Sequence, residues 1–175
     1  MRRAVFPATF DPIHYGHIDI AERAARVFDE LFVGVYAHSA KKLLFTPEER
    51  MALAVETLKH IPNVTVALYT GLTVDYARQV DASAVVRGLR VFSDFELEFR
   101  MALANRRLAP NIEVVNFIAG EEVLHISSST VREIASLGGD VSTFVPSIVA
   151  EALHRRFAEL HHDGANPNYM ISLQD

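Results

Sequence analysis

Residues 2–20 read RRAVFPATFDPIHYGHIDI, a short apolar run, a polar turn and the start of an amphipathic segment. Ala4, Val5 and Phe6 read as a strand that breaks at Pro7. Thr9, Asp11, Pro12, His14 and Gly16 make the turn, and Ile18 begins a helical pattern. A strand that feeds a helix through small and polar residues is a ready anion site. The first backbone N–H groups of a helix lack intrahelical partners, and the helix dipole is positive at that end. His14 and His17 stand in this turn with Gly16 between them, where the missing Cβ lets a ligand approach the backbone. Two ring-nitrogen donors at such a place point to nucleotide phosphate rather than to an unspecific anion.

Outward from that turn, the chain has 175 residues, half of them apolar, which suits one compact domain with a sizeable core. The formal net charge of −5 argues against a broad nucleic-acid surface, so phosphate binding must be local. There is no cysteine, which excludes disulfides, thiolate metal sites and cysteine nucleophiles. No run approaches the roughly 18 apolar residues needed to cross a bilayer. The expectation is a cytoplasmic protein that binds neither nucleic acid nor membrane. Its domain spans 1–160, and 161–175, with Asp163, Gly164, Asn166 and Pro167, reads as a loosely held tail.

Along the chain, 18–28 reads as an amphipathic helix and 31–37 as a strand buried on both faces. Thr46, Pro47 and Glu49 spell a helix start with a capping box, and that helix should reach about His60. Strands follow at 63–68, 83–86 and 112–118, with helices at 73–80 and 94–108 between them. In the latter, Phe95, Phe99, Ala102 and Leu103 fall on one side, and Glu96, Arg100 and Arg107 are among the polar positions. The serines of ISSST open another helix, for which Thr130 and Glu133 offer a capping box, and Gly138 and Gly139 close it; a last helix follows Pro146. Five strands alternating with helices imply right-handed crossovers and an α/β, Rossmann-like, doubly wound parallel sheet. With the order 3-2-1-4-5, the crevice opens at the carboxyl ends of strands one and four.

Four segments carry a resemblance. TFDPIHYGH at 9–17 looks like the signature of the nucleotidylyltransferase superfamily. KKLLFTPEER at 41–50, RGLRVFSDFELE at 87–98 and ISSSTVRE at 126–133 make the chain most similar to the bacterial phosphopantetheine adenylyltransferase family, over residues 2 to about 157. Ala8 departs from the pattern, which usually has Gly there. The resemblance implies transfer of an adenylyl group from ATP to 4′-phosphopantetheine, with magnesium arriving on ATP. It also implies a homohexamer and feedback by coenzyme A.

By the same resemblance His17 stabilises the transition state. Thr9, Phe10, His14 and His17 meet ATP from the first turn, and Gly88, Leu89, Arg90 and Glu98 meet it from the second. Val123, Leu124, His125, Ile126, Ser127, Ser128 and Ser129 complete the ATP side. Thr9, Lys41, Thr73, Arg87 and Asn105 take the acceptor, with Leu72 and Leu103 as further channel candidates or ordinary core. Taken singly, Lys41, Arg87 and Arg90 read as surface cations, and Glu98 reads alternatively as a solvated helical glutamate; the pairing of two arginines directly behind a buried strand favours a site. The serines serve as helix caps in either case. HxxH is not the HExxH zinc motif, and no GxSxG elbow surrounds the serines. The alternatives are an adenylyltransferase for another acceptor, such as nicotinamide mononucleotide, and a noncatalytic nucleotide sensor.

Overall fold

The structure is a computed structural model and describes residues 1–39, 42–90 and 92–162. Strands β1 (Arg3–Ala8), β2 (Glu30–Tyr36), β3 (Val64–Tyr69), β4 (Ala84–Leu89) and β5 (Glu113–Ile118) form one parallel sheet in the order β3-β2-β1-β4-β5. The connecting helices are α1 (Tyr15–Val27), α2 (Pro47–Leu58), α3 (Thr73–Gln79), α4 (Phe92–Leu108), α5 (Ser128–Ser136) and α6 (Ser147–His162), with a 3-10 turn at Glu121–Val123. The expected strand order and doubly wound class are therefore observed. Side chains alternate along β1: Ala4 and Phe6 join a core with α1, α2, α5 and α6, while Val5 joins a second core on the other face with α3. Among the described residues no helix is long and apolar enough to cross a membrane.

Local chemistry sets the element ends. Thr46 Oγ1 accepts the Glu49 N–H at 3.2 Å and the Glu49 carboxylate accepts the Thr46 N–H at 2.8 Å, which is the expected capping box. At α5 the cap is Ser127, whose Oγ accepts the Thr130 N–H at 3.1 Å, so Thr130 lies inside the helix and the expected Thr130–Glu133 box does not form. The helix ends at Ser136 with Leu137 as its C-cap, followed by Gly138 at φ 76°. Helix α6 continues through His161 and His162, past the expected boundary at 160; the rest of the expected tail lies outside the described residues.

Three further differences bear on the site. First, β1 does not break at Pro7 but runs through it to Ala8. Its pairing with β4 stops at Val5, opposite Val85, whereas its pairing with β2 continues to Ala8, opposite Val35. The proline, which has no N–H to donate, sits where the β4 side of the ladder has already ended. Second, β4 extends beyond 86, so Arg87, Gly88 and Leu89 belong to the strand and only Arg90 follows it.

Third, α4 presents its large apolar groups outward. Phe95, Phe99 and Leu103 are each more than half exposed, with the two phenylalanine rings stacked at 5.9 Å, and Glu98 is buried. The inward positions are Asp94, Glu98, Ala102 and Asn105, spaced as one helical face. Helical spacing reveals that a face exists; it does not say which face meets the sheet.

The second core fixes one glycine. Tyr69 and Tyr76 are buried and stacked at 4.7 Å over β2. A Cβ on Gly34 would lie 2.9 Å from Tyr76 Cε1 and 3.0 Å from Tyr69 Cδ1. Gly34→Ala should lower stability by about 1–3 kcal/mol through overpacking. Urea unfolding should show a lower midpoint with an unchanged slope.

Candidate active site

The turn after β1 is built from inside out. Phe10 sits at φ 52°, in the left-handed region, and is almost wholly buried. A phenylalanine there costs roughly 1–3 kcal/mol and persists only where its surroundings hold it. They do so through packing: its ring lies edge-on to Phe6 at 5.6 Å and to His17 at 4.8 Å. Asp11, also buried, turns away from the cleft and accepts the backbone N–H groups of Leu44 at 2.9 Å and Phe45 at 3.0 Å. Arg132 donates to the Asp11 carbonyl at 2.5 Å, and Ser128 Oγ donates to the Pro12 carbonyl at 2.9 Å. The start of α5 is thus fastened to the start of α1.

His14 is the cap of α1. Its Nδ1 accepts the Gly16 N–H at 3.1 Å, and the His17 Nδ1 accepts the His14 N–H at 3.3 Å. The two rings stack 3.7 Å apart. Because Nδ1 of His17 is an acceptor, its proton sits on Nε2, which leaves that nitrogen as the donor of a half-buried ring lining the cleft. Gly16 is required here for a steric reason: a Cβ would lie 2.9 Å from His14 Cε1.

Arg87 and Arg90 stand on the opposite wall, each with a carboxylate from α4. Glu98 takes Arg87 bidentately, Nε to Oε2 at 2.7 Å and Nη2 to Oε1 at 2.5 Å, while Arg87 Nη1 donates to the Pro7 carbonyl at 2.9 Å. Arg90 meets Asp94 Oδ2 through Nε at 3.2 Å and the Ile126 carbonyl through Nη1 at 3.2 Å. Arg87 therefore fills the gap where β1 and β4 part.

The resulting cleft has a volume of about 770 Å³. Of the expected residues, Thr9, His14, His17, Arg87, Gly88, Arg90, Glu98, Leu124, His125, Ser127 and Ser128 line it. Phe10 and Ile126 are buried behind the wall, and Leu89, Val123 and Ser129 are half-buried beside it. His125 is exposed at the rim, edge-on to Phe144 at 5.9 Å. Thr73 and Asn105 line a side cavity of about 90 Å³ that shares Pro7, Arg87 and Glu98 with the main cleft. Leu72 and Leu103 are more than half exposed and line neither cavity, and neither is core. Lys41 lies outside the described residues.

Sequence reasoning missed Asp11, Asp94, Arg50 and Arg132 as members of this framework. The signal for Asp11 was its place in the opening motif and for Asp94 its i+4 spacing from Arg90. No local pattern marks Arg50 and Arg132, and only the tertiary packing buries them.

The electrostatics follow from the wall. Desolvation, then the His14 ring, then the cationic Arg90 and Arg87, hold the His17 pKa well below the ordinary histidine value. His17 is therefore a neutral donor at neutral pH. The sign for stability is fixed: a native pKa depressed below the unfolded one gives stability that is present above about pH 6.5 and is lost as pH falls from there toward the native value. In an NMR titration of the ligand-free protein, the His17 ring protons should still report a neutral imidazole at pH 6.5, where an ordinary histidine is half protonated. A midpoint at the ordinary value would contradict this account of the cleft.

The family model described as cytidylyltransferase-like matches residues 5–134. A phosphopantetheine adenylyltransferase of a Roseiflexus species is 53% identical over 157 residues, covering 90% of this chain and 98% of the relative. Relatives of the same name from Thermomicrobium roseum and Methylacidiphilum infernorum are 52% and 49% identical, covering 90% and 91% of this chain and 96% and 93% of their own. In shape, the chain resembles a Vibrio parahaemolyticus protein provisionally assigned as a nicotinate-nucleotide adenylyltransferase. The TM-score is 0.67 at 21% identity, covering 87% of this chain and 99% of that one, a likeness of fold. With half of its residues shared over nine-tenths of its length, the chain belongs to the phosphopantetheine adenylyltransferase family, within the cytidylyltransferase-like proteins.

Proposed function

We propose that the chain transfers the adenylyl group of ATP to 4′-phosphopantetheine, giving dephospho-coenzyme A and pyrophosphate. The observation that carries the reading is the meeting of one neutral imidazole donor with two oriented guanidinium groups in a single cleft, in a chain whose relatives bear that enzyme's name. A phosphate oxygen of the acceptor attacks the α-phosphorus of ATP, the bond to the bridging oxygen breaks, and pyrophosphate leaves with the electron pair. The nucleophile is already anionic, so no general base is needed. What the step requires is charge stabilisation on the non-bridging oxygens.

His17 Nε2–H is the donor for those oxygens. Phosphates beside the ring raise its pKa again, and Nε2 donates in either protonation state. Arg90, with Ser127 and Ser128 at the N-terminus of α5, receives the β- and γ-phosphates. Arg87 receives the acceptor phosphate, together with Lys41, which the resemblance assigns to the same group. Each arginine has five N–H donors; Arg87 spends three on Glu98 and Pro7, which leaves two for a ligand. The side cavity with Thr73 and Asn105 takes the start of the pantetheine arm.

Magnesium arrives with ATP and is held by phosphate oxygens and water. The cleft carboxylates Asp94 and Glu98 are engaged by arginines and do not supply a cage for it. The reading includes a homohexamer, supported by the exposed Phe95, Phe99 and Leu103 of α4, and feedback by coenzyme A, which shares the acceptor's arm.

His17→Ala should lower kcat by about a hundred- to thousandfold, the usual cost of one preorganised donor, with much smaller changes in substrate binding. Pyrophosphate release should require ATP, magnesium and phosphopantetheine, and nicotinamide mononucleotide should not replace the acceptor. Equal turnover with both acceptors would remove the substrate assignment and leave the reaction class.

A further inference from the structure

Arg50 is wholly buried and touches no cavity in which either substrate would lie. Burying a guanidinium is costly unless its donors are met, and burial does pull its pKa down, against the opposing charges of Asp11 and Glu48. Three of its five N–H donors are spent on carbonyls, while Nη2 is buried without a hydrogen-bond partner among the described residues. Nη1 donates to Thr9 at 2.6 Å and to Tyr36 at 2.9 Å, and Nε donates to Phe45 at 3.3 Å. Thr9 is the first residue past β1, Tyr36 the last of β2, and Phe45 the residue before the cap of α2. One side chain therefore joins the exits of two neighbouring strands to the start of the helix that carries it.

The same contacts place Arg50 relative to the site. Thr9 lines the cleft. The turn that begins with Thr9 is held from two directions. Arg132 and Ser128 hold Asp11 and Pro12 from α5, the wall proposed for the nucleotide phosphates. Arg50 holds Thr9 from α2, on the β2 side of β1 and away from that wall. Leu44 and Phe45 are gripped twice, by their N–H groups on Asp11 and by the Phe45 carbonyl on Arg50. Without Arg50, Asp11 and Pro12 keep their anchors and Thr9 loses its own.

We propose that Arg50 is a positioning residue, which fixes Thr9 and the α2 side of the turn where the acceptor phosphate is received, without contacting either substrate. The inference rests on the acceptor reading given under the proposed function. A planar guanidinium spans three carbonyls at fixed angles; a lysine ammonium keeps the charge but not that fork. A displacement of about 1 Å at a reacting group costs up to roughly a hundredfold in rate.

The test compares wild type, Arg50→Lys and Arg50→Met well below their melting temperatures. Pyrophosphate release is followed with each substrate varied, and ATP affinity is measured separately by calorimetry. The expected result for both variants is a KM for phosphopantetheine raised and a kcat lowered by about tenfold or more, with ATP affinity within about twofold of wild type. Arg50→Lys should recover melting temperature better than it recovers kcat/KM. Wild-type kinetics in a folded Arg50→Lys or Arg50→Met variant would overturn the proposal. So would parallel loss of ATP binding and acceptor binding, or failure of both variants to fold, since each would make Arg50 a residue of the fold at large. Failure of wild type itself to use phosphopantetheine sinks the acceptor reading, and the Arg50 inference with it, and is told apart by that control.

Discussion

Pro7 carries no N–H, and the sheet parts beside it. A central strand normally exchanges hydrogen bonds with both neighbours, and a proline inside one is excluded unless one side of the ladder has stopped. Here β1 remains paired with β2 up to Ala8 and leaves β4 after Val5. The opening needs something to satisfy it, and the Arg87 guanidinium does so on the Pro7 carbonyl. The cleft at the switch point is thus a discontinuity in the backbone ladder, with the Arg87 guanidinium as its seal. The helices that wind in opposite directions from this point supply the two walls.

Those walls are charged before any ligand arrives. Arg87 and Arg90 are pre-oriented by Glu98 and Asp94, and the imidazole facing them is kept neutral partly by their own fields. A neutral donor facing two fixed cations suits anion binding, because it adds a hydrogen bond without adding repulsion to the cluster. The carboxylates also prevent the arginines from folding back onto other groups, so little reorganisation is left for the moment of reaction. Glu98 accordingly works through Arg87 in the ligand-free chain; the reading of it as a solvated helical residue fails on its burial alone.

The fold was legible because its signals are local: apolar runs, the Thr46 and Glu49 cap, the Gly138 stop and the alternation of elements all lie within short windows. The cleft lining was legible because TFDPIHYGH and ISSST follow strands and RGLR ends one, so the carboxyl ends of the strands gather all three. What escaped reading depends on partners distant in sequence. Phe95, Phe99 and Leu103 mark an apolar face correctly, but the sheet meets the other one, since Glu98 must reach Arg87. Arg50 and Arg132 are buried only once carbonyls of the strand exits and of the first turn are brought over them. Pro7 looks like a strand end because the ladder on its β4 side cannot be seen from β1 alone.

Strand order also fixes a timetable for the site. Pro7 and Arg87 are separated by 80 residues, so the histidine turn and its facing cations come from distant parts of the chain. A chain emerging from the ribosome has β1, α1, β2, α2 and β3 before β4 is available. Throughout that interval β1, destined for the middle of the sheet, is an edge with unpaired backbone groups, and closing it requires a long-range contact. The proline that later opens the cleft withholds one donor from that temporary edge, which makes the unfinished strand a poorer template for pairing with another chain.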